Sequence, residues 1–253
     1  MGRAAHAVML TATVTPAAGM PGTQRADPAI RLQDYCQAFA FYLGLPDDRV
    51  DKILLFENSG FDLDVFRRMA EEAGTAKQVE YINVSSTYDA IKGKGYGEFL
   101  MIDNALSQSK IIDPATKLWK ITGRLKILNL AEIIRTAPSD YEVYCDLRDV
   151  PFIGESLGGN KWMELRLFSC TLAAYNRFFR GQYDVGYVLE KDFFQIVAPE
   201  VRKSDRRIVP RFRIQPQFEG LSGYSGRSYR SKKDQVKSLL RTVMRRAAPG
   251  LWL

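Results

Sequence analysis

The stretch Lys52-Ile-Leu-Leu-Phe56, running into Glu57-Asn-Ser-Gly60, decides the fold. Its apolar residues follow one another without alternation, which marks a strand covered on both faces, as in a parallel sheet enclosed by helices. Upstream, Ala29–Leu43 carries Ile30, Tyr35, Ala38, Phe39 and Tyr42 at helical spacing, and Val8–Thr15 reads as a β-branched first strand. Downstream, Leu63–Ala73 reads as a helix closed by Gly74, and Val79–Val84 as a third strand. A helix over Glu98–Ser109, a strand over Leu118–Thr122 and a short helix over Leu130–Arg135 follow. Tyr141–Cys145 and Lys161–Leu167 are expected as strands, and Thr171–Phe179 as a helix. Strands separated by helical segments predict an α/β fold with a mostly parallel sheet flanked by helices.

The composition fits one large domain, or a domain plus a tail, at 253 residues with 46% apolar content. Three widely spaced cysteines, Cys36, Cys145 and Cys170, form no CxxC, which points to a reducing compartment rather than a disulfide frame or zinc site. The single histidine, His6, leaves no material for a Cys/His cluster. No run approaches the ~18 apolar residues needed to span a bilayer. Thr11, Thr13 and Thr15 break the first apolar run, which favours a strand over a signal peptide. The net charge of +7 is unevenly spread: residues 200–253 hold 14 Lys/Arg against 4 Asp/Glu.

In open parallel sheets, ligands bind beyond the carboxyl ends of the strands. That rule selects Thr11–Thr15, Glu57–Gly60, Asn83–Thr87 and Thr122–Arg124 as the walls of one crevice. Lys120 lies mid-strand, where a buried ammonium needs a matched charge. It and Arg124 either neutralise a diphosphate, with Gly123 allowing close backbone approach, or serve as a buried ion pair and a surface turn residue. The segment Lys92-Gly-Lys-Gly-Tyr-Gly-Glu98 runs into a helix whose first amides suit an anion; the alternative is a flexible loop with solvated lysines. Glu57, Asn58 and Ser59 either contact a nucleobase or ribose or cap the next helix. Arg31 and Asp34 either join that pocket or form a salt-bridged helix face.

Carboxylates for acid/base work are Asp146 and Asp149 in Cys145-Asp-Leu-Arg-Asp149, and Glu164, two residues before Arg166. Asp146 and Asp149 offer at most two oxygen ligands, so a divalent cation has no clear motif. Strand alternation puts Glu164 and Arg166 on one face, where a mutual salt bridge competes with catalysis. In Ser231–Ala248, Val236, Leu239, Leu240, Val243, Met244 and Ala247 recur at helical spacing among Lys232, Lys233, Lys237, Arg241, Arg245 and Arg246. This basic amphipathic helix suits an anionic membrane surface over residues 231–253, with Trp252 as anchor; the alternative is packing on the protein's own core. Nucleic acid is not expected as a partner, because residues 1–199 are net acidic.

The succession LTATVTP (10–16), RLQDY (31–35), LFENSG (55–60), KGKGYGE (92–98), WKITGRL (119–125), MELRLF (163–168) and GLSGYSGRSY (220–229) resembles bacterial glycosyltransferases of capsule and lipopolysaccharide-type gene clusters. The resemblance implies a GT-A-like, Rossmann-related fold, a nucleotide-sugar donor, a glycan or lipid-linked acceptor, and a cytoplasmic enzyme peripheral to the cell membrane. The charge asymmetry divides the chain into a catalytic domain over 1–199 and a basic segment over 200–253, in which the Gly-, Ser- and Tyr-rich 220–229 is either a lid or a linker. The resemblance places Thr11, Thr13, Glu57, Asn58, Ser59, Gly95, Gly97 and Glu98 near the donor, and the residues themselves add Arg31, Lys120, Thr122, Gly123, Arg124 and Arg166 as donor-binding candidates. Asp146, Asp149 or Glu164 would be the base if the reaction inverts. Typical GT-A enzymes carry an Asp-x-Asp metal motif after the fourth strand. Here Lys120-Ile-Thr-Gly-Arg124 stands in that place, so cations are expected to stabilise the leaving diphosphate. A nucleotidyltransferase and a non-catalytic membrane-associated protein are the other classes considered.

Overall fold

The computed structural model describes residues 5–20, 23–46, 49–84, 90–150, 160–183, 188–203, 206–222, 226, 228–229, 231–248 and 250–252. The first half alternates β1 (His6–Ala12), α1 (Pro28–Leu43), β2 (Lys52–Glu57), α2 (Asp64–Glu72), β3 (Gln78–Asn83), α3 (Gly93–Gln108) and β4 (Lys117–Thr122). After it come β5 (Lys126–Ile127), α4 (Leu130–Thr136), β6 (Val143–Tyr144), β7 (Leu147–Arg148), β8 (Trp162–Met163) and β9 (Leu167–Thr171). The chain ends with α5 (Leu172–Phe178), α6 (Leu189–Arg202), β10 (Ile208–Val209), β11 (Phe218–Glu219) and α7 (Lys232–Ala247).

One seven-stranded sheet, in the order β10-β6-β9-β4-β1-β2-β3, organises the molecule. The run β3-β2-β1-β4 is parallel and has the Rossmann order, while β9 lies antiparallel between β4 and β6. This is the Rossmann-related, mostly parallel α/β sheet that the alternating pattern predicts. Strand pleating divides the core in two. Ala7, Met9, Leu54, Phe56 and Leu118 face Phe99 of α3 and Phe193 of α6, whereas Val8, Leu10, Ile53, Leu55, Trp119 and Ile121 face Phe39 of α1 and Ile133 of α4. The unbroken Ile53–Phe56 run is therefore apolar because each face has its own helical layer.

Two expected elements differ, and one helix is unexpected. Residues 161–167 do not form one strand: β8 pairs with β7 in a small separate sheet, and the strand joining the main sheet is β9. Lys161 has φ 48 before β8, and the side chains of Glu164 and Arg166 bond to each other between the two strands. The glycines at 93–97 open α3 rather than a preceding loop. Helix α6 is not among the expected elements, although Leu189, Phe193, Phe194 and Val197 carry helical spacing and are buried. Nor does a structural boundary fall at 199/200, since β10 pairs with β6 in the main sheet and β11 pairs with β5.

Candidate functional site

Strands β1 and β4 end side by side, with Thr11 opposite Thr122. Beyond them Gly123 donates its backbone N–H to the Thr11 carbonyl at 3.0 Å. A Cβ on Gly123 would lie 2.5 Å from that oxygen, so only glycine lets the β4 turn close against β1. The adjoining β2 turn is fastened by Glu57. This buried carboxylate accepts from the N–H groups of Val14 (2.9 Å), Ser59 (2.8 Å) and Phe61 (3.1 Å) and from the Ser59 hydroxyl. Ser59 Oγ in turn accepts from Thr15 N–H at 3.0 Å. Glu57 and Ser59 thus hold the crevice wall in shape.

Asn58 and Thr13 meet at the same edge: the Thr13 hydroxyl donates to Asn58 Oδ1 at 2.6 Å, and Asn58 Nδ2 reaches the Gly97 carbonyl at 3.4 Å. Gly97 is buried, and a Cβ on Gly95 would press to 3.0 Å from Leu189 of α6. These two glycines bring α3 close to its neighbours. Arg31 lies beneath, donating to the carbonyls of Thr13 (2.6 Å) and Arg25 (3.0 Å) and to the Tyr35 hydroxyl (2.9 Å). Asp34 is engaged by Arg25 through two bonds, of 2.5 and 2.9 Å. The crevice residues at 85–87 lie outside the described residues.

Lys120 is fully buried on the α3 side of the sheet, and its ammonium lies 2.8 Å from Glu98 of α3. It also donates to the Leu165 carbonyl at 2.7 Å and contacts the Thr122 hydroxyl at 3.3 Å. Thr11 Oγ1 donates to the same Glu98 oxygen at 2.5 Å. The charge match that a mid-strand lysine requires is thus supplied from a helix.

The other cations crowd one another. Burial, opposed in part by Tyr35 and joined by the charge of Arg124, lowers the Arg31 pKa from its ordinary value. Lys94 is exposed, yet local desolvation and then the charges of Arg124 and Arg31 lower its pKa, while Glu98 and Glu190 raise it. Arg124 donates from Nη1 to the Leu221 carbonyl at 3.1 Å, and its buried Nε has no hydrogen-bond acceptor among the described residues. Glu190, at the start of α6, is a site residue that the sequence pattern did not single out. Burial, followed by the charges of Glu164 and Glu98, pushes its carboxyl pKa up, and Lys120 opposes this.

The three carboxylates proposed as bases are taken by arginines. Asp146 is buried, pairs with Arg245 through bonds of 3.0 and 2.5 Å, and also accepts from Phe212 N–H at 2.9 Å. Asp149 pairs with Arg202 at 2.6 Å. Glu164 is buried between Arg148 (2.7 Å) and Arg166, whose Nε is at 2.6 Å. Burial opposes its ionisation, but Arg166 and then Arg148 outweigh burial and hold its carboxyl well below the usual range. A carboxylate so stabilised is a weak proton acceptor, which removes Glu164 from the base role. The Arg166 carbonyl accepts from Thr122 N–H at the β4 end (3.1 Å), while its side chain turns to Glu164, the guanidinium lying beside the rings of Phe218 (4.4 Å) and Tyr229 (4.6 Å). Within 220–229, the residues 223–225 and 227 lie outside the described residues. No group of three or more His, Cys, Asp or Glu side chains converges among the described residues.

No protein-family model matches the chain, and no curated protein matches it. Among solved structures, the inositol-1-phosphate CTP transferase from T. maritima is similar, with a TM-score of 0.49 and 12% identity over 99% of this chain and 98% of that chain. What this chain can do is read from its own residues.

Proposed function

We propose that the chain is a transferase that holds a nucleotide substrate by its phosphates in the crevice beyond β1, β2 and β4. The observation that carries this reading is the gathering of Arg31, Lys94 and Arg124 at the carboxyl ends of a Rossmann-ordered sheet, close enough for the Arg124 charge to act on both of the others. Arg124 Nε is a buried donor without an acceptor among the described residues, and a phosphate oxygen would satisfy it. Three cations suit a triphosphate, which favours nucleotidyl transfer. An acceptor phosphate oxygen attacks the α-phosphorus, the bond to the bridging oxygen breaks, and pyrophosphate departs with its negative charge neutralised. Such an acceptor is already ionised and needs no strong base.

Glu190 supports a second reading, glycosyl transfer from a nucleotide-sugar. There a neutral acceptor hydroxyl attacks the anomeric carbon and must lose its proton, and a carboxylate with a raised pKa is a better base than an ordinary one. Incubating the protein with each nucleoside triphosphate and a panel of sugar and polyol phosphates, and following pyrophosphate release, tests the first reading. Nucleoside diphosphate release from nucleotide-sugars, with and without a chelator, tests the second. Failure to bind any nucleotide in equilibrium dialysis overturns both.

We also infer that α7 lies on an anionic membrane surface. Val236, Leu239, Leu240 and Val243 are 68%, 66%, 42% and 53% exposed, so this apolar stripe is not packed on the protein's own core. It faces away from Arg245, which is buried and anchors the helix. The stripe is purely aliphatic, whereas protein-docking centres favour Trp, Tyr and Arg, and a two-fold pairing of α7 with itself would bring basic helices together. Trp252 is not the membrane anchor suggested by its place in the chain: its ring packs on Phe194 of α6 at 6.3 Å and beside Arg202 at 5.7 Å. No helix among the described residues is long and apolar enough to cross a membrane. Sedimentation with anionic and neutral vesicles tests the inference. Binding to neither, together with a dimer in solution, would assign the stripe to a second copy.

A further inference from the structure

A pocket of about 320 Å³ opens beside the crevice, between α1 and the chain that follows β11. Local rules set its lining. Gln33 and Gln37 stand four residues apart on α1, so both amides fall on one face of the helix, with Asp34 beside them. Opposite α1, the antiparallel register of β5 and β11 sets Lys126 directly across from Glu219, and their side chains pair at 3.2 Å. Beyond β11 the chain folds back on itself. Leu221 is bridged to Ser228, and Tyr229 N–H donates to the Gly220 carbonyl at 3.2 Å. Gly220 has φ 133, and a Cβ there would lie 2.8 Å from the Leu125 side chain and 3.0 Å from the Arg124 carbonyl. Glycine therefore lets this segment close against the residues after β4 and complete the pocket.

The chemistry of the lining is that of a hydroxyl-rich ligand. Asp34 accepts two bonds from Arg25, of about four that a carboxylate can take, and those paired bonds hold it in plane. The Gln33 and Gln37 amides each bring one acceptor and two donors. None of the described lining residues is aromatic. A nucleobase draws much of its binding from stacking on aromatic faces, whereas each hydroxyl of a sugar both donates and accepts. The volume lies near the lower end of the roughly 300–1,000 Å³ usual for ligand pockets, which suits a single ring. Arg124 belongs to the pocket and to the crevice alike. It lines the pocket and donates there to the Leu221 carbonyl at 3.1 Å, while its charge reaches Arg31 and Lys94. Arg31 in turn donates to the carbonyl of Arg25 at 3.0 Å. A phosphate held by Arg124 therefore stands next to the pocket.

We propose that this pocket is a sugar-binding subsite, in which Gln33, Asp34 and Gln37 hold the hydroxyls of a carbohydrate ring whose phosphate lies at Arg124. That the ring belongs to a substrate rests on the transferase reading above; the subsite itself rests on the pocket and its hydrogen-bonding groups. The ring can belong to a simple sugar phosphate or to a nucleotide-sugar.

Calorimetric titration of the full chain tests the subsite in two arms, which separate these sources. In one, glucose phosphate, mannose phosphate and ribose phosphate are each compared with inorganic phosphate. In the other, UDP-glucose and GDP-mannose are compared with UDP and GDP. Gln33→Ala with Gln37→Ala removes both amides from exposed positions on α1, where alanine also favours the helix, and Tm checks the fold. At least one sugar ligand is expected to bind the wild type more tightly than its sugar-free counterpart. The double variant should lose about tenfold of that affinity, the worth of two neutral hydrogen bonds, and leave the counterpart unchanged. Arg124→Gln should weaken both members of the pair. A loss for the simple esters indicates a sugar phosphate, and a loss confined to the nucleotide-sugars indicates the sugar of a nucleotide-sugar. Wild-type sugar affinity in the double variant, or no preference for a sugar ligand in either arm, would overturn the subsite. An equal loss for UDP and UDP-glucose would overturn it in favour of a nucleobase. The ester arm contains no nucleotide, so nucleotide binding can fail without affecting its result, and the reverse holds too.

Discussion

The crevice at the end of β4 and the charged layer under α7 lie on opposite sides of residues 164–166, and they use their carboxylates in opposite ways. Under α7 the carboxylates are consumed: Asp146 by Arg245, and Glu164 by Arg148 and Arg166. In the crevice, Lys120 and Glu98 neutralise one another, while Arg31, Lys94 and Arg124 gather beside them, with the Arg124 charge lowering the pKa of the other two. The difference teaches that an acidic residue near a strand end is no guide to catalysis until its counter-ion is known. A buried and fully paired carboxylate secures an element, whereas cations gathered at an open strand end create a field that favours an anion.

The largest expected effect belongs to the paired side. Asp146→Ala strands Arg245 in a buried position, and unfolding in urea is expected to show a loss of about 3–5 kcal/mol. Asp146→Leu combined with Arg245→Met should recover most of that loss, since the pair is replaced as a unit. A single variant as stable as the wild type would mean that α7 is not anchored there.

Glu164→Gln is expected to cost about 3 kcal/mol at neutral pH, because two arginines lose their shared anion. Its effect should depend on acid in a definite direction. The folded-state pKa lies below the unfolded value, so the stabilisation is complete above the ordinary glutamate value of about 4.3 and is lost as pH falls through the lower folded-state value. A pH series of denaturation midpoints should therefore converge for wild type and variant only in strong acid. Convergence near neutrality would show that the arginines do not hold the carboxylate.

On the crevice side, Gly123→Ala tests whether the β1–β4 closure has slack. The added methyl meets the Thr11 carbonyl at 2.5 Å, and a forced backbone shift of this kind costs about 1–3 kcal/mol. Nucleotide binding should fall along with stability, because the turn carries Arg124. Arg124→Gln and Lys94→Gln should instead separate the two quantities. Each is expected to weaken nucleotide binding about tenfold with a small change in Tm, as cations at the crevice mouth act chiefly on the ligand. Unchanged affinity in both variants would place the phosphates elsewhere.

Much of the frame could be read directly from the chain, and the reason is physical. Lys52–Phe56 needs apolar residues on both faces whatever surrounds it, and Gly123 needs the absence of a side chain, so local composition reports both. Lys120 is half legible: alternation predicts its direction and burial predicts a counter-charge, but the identity of Glu98 depends on where α3 packs. Asp146 and Asp149 look alike as candidates because residue type shows the charge and not the arginine, 99 residues away in the Arg245–Asp146 pair, that engages it, whereas alternation already sets Arg166 beside Glu164. Glu190 escaped notice for the converse reason. Its environment is made by Glu98, Glu164 and Lys120, none of them near it in sequence.

The smallest effect on stability is expected from the outer face of α7, which makes the sharpest contrast with Arg245 on the inner face. Leu239→Ser with Val243→Ser removes two side chains that are 66% and 53% exposed, so their burial contributes little to folding. Surface changes of this kind stay within about 0.5 kcal/mol each. Helix propensity falls slightly at Leu239, and the buried Arg245–Asp146 pair keeps α7 in place. Vesicle sedimentation should nevertheless drop sharply, because interfacial binding scales with the apolar area that enters the lipid, and raising the salt should weaken the wild type further through its basic residues. Serine variants that unfold at much lower urea would show that the stripe is packed inside the molecule. Serine variants that sediment with anionic vesicles as well as the wild type would leave charge as the only attraction, and the four exposed aliphatic side chains would then need another partner.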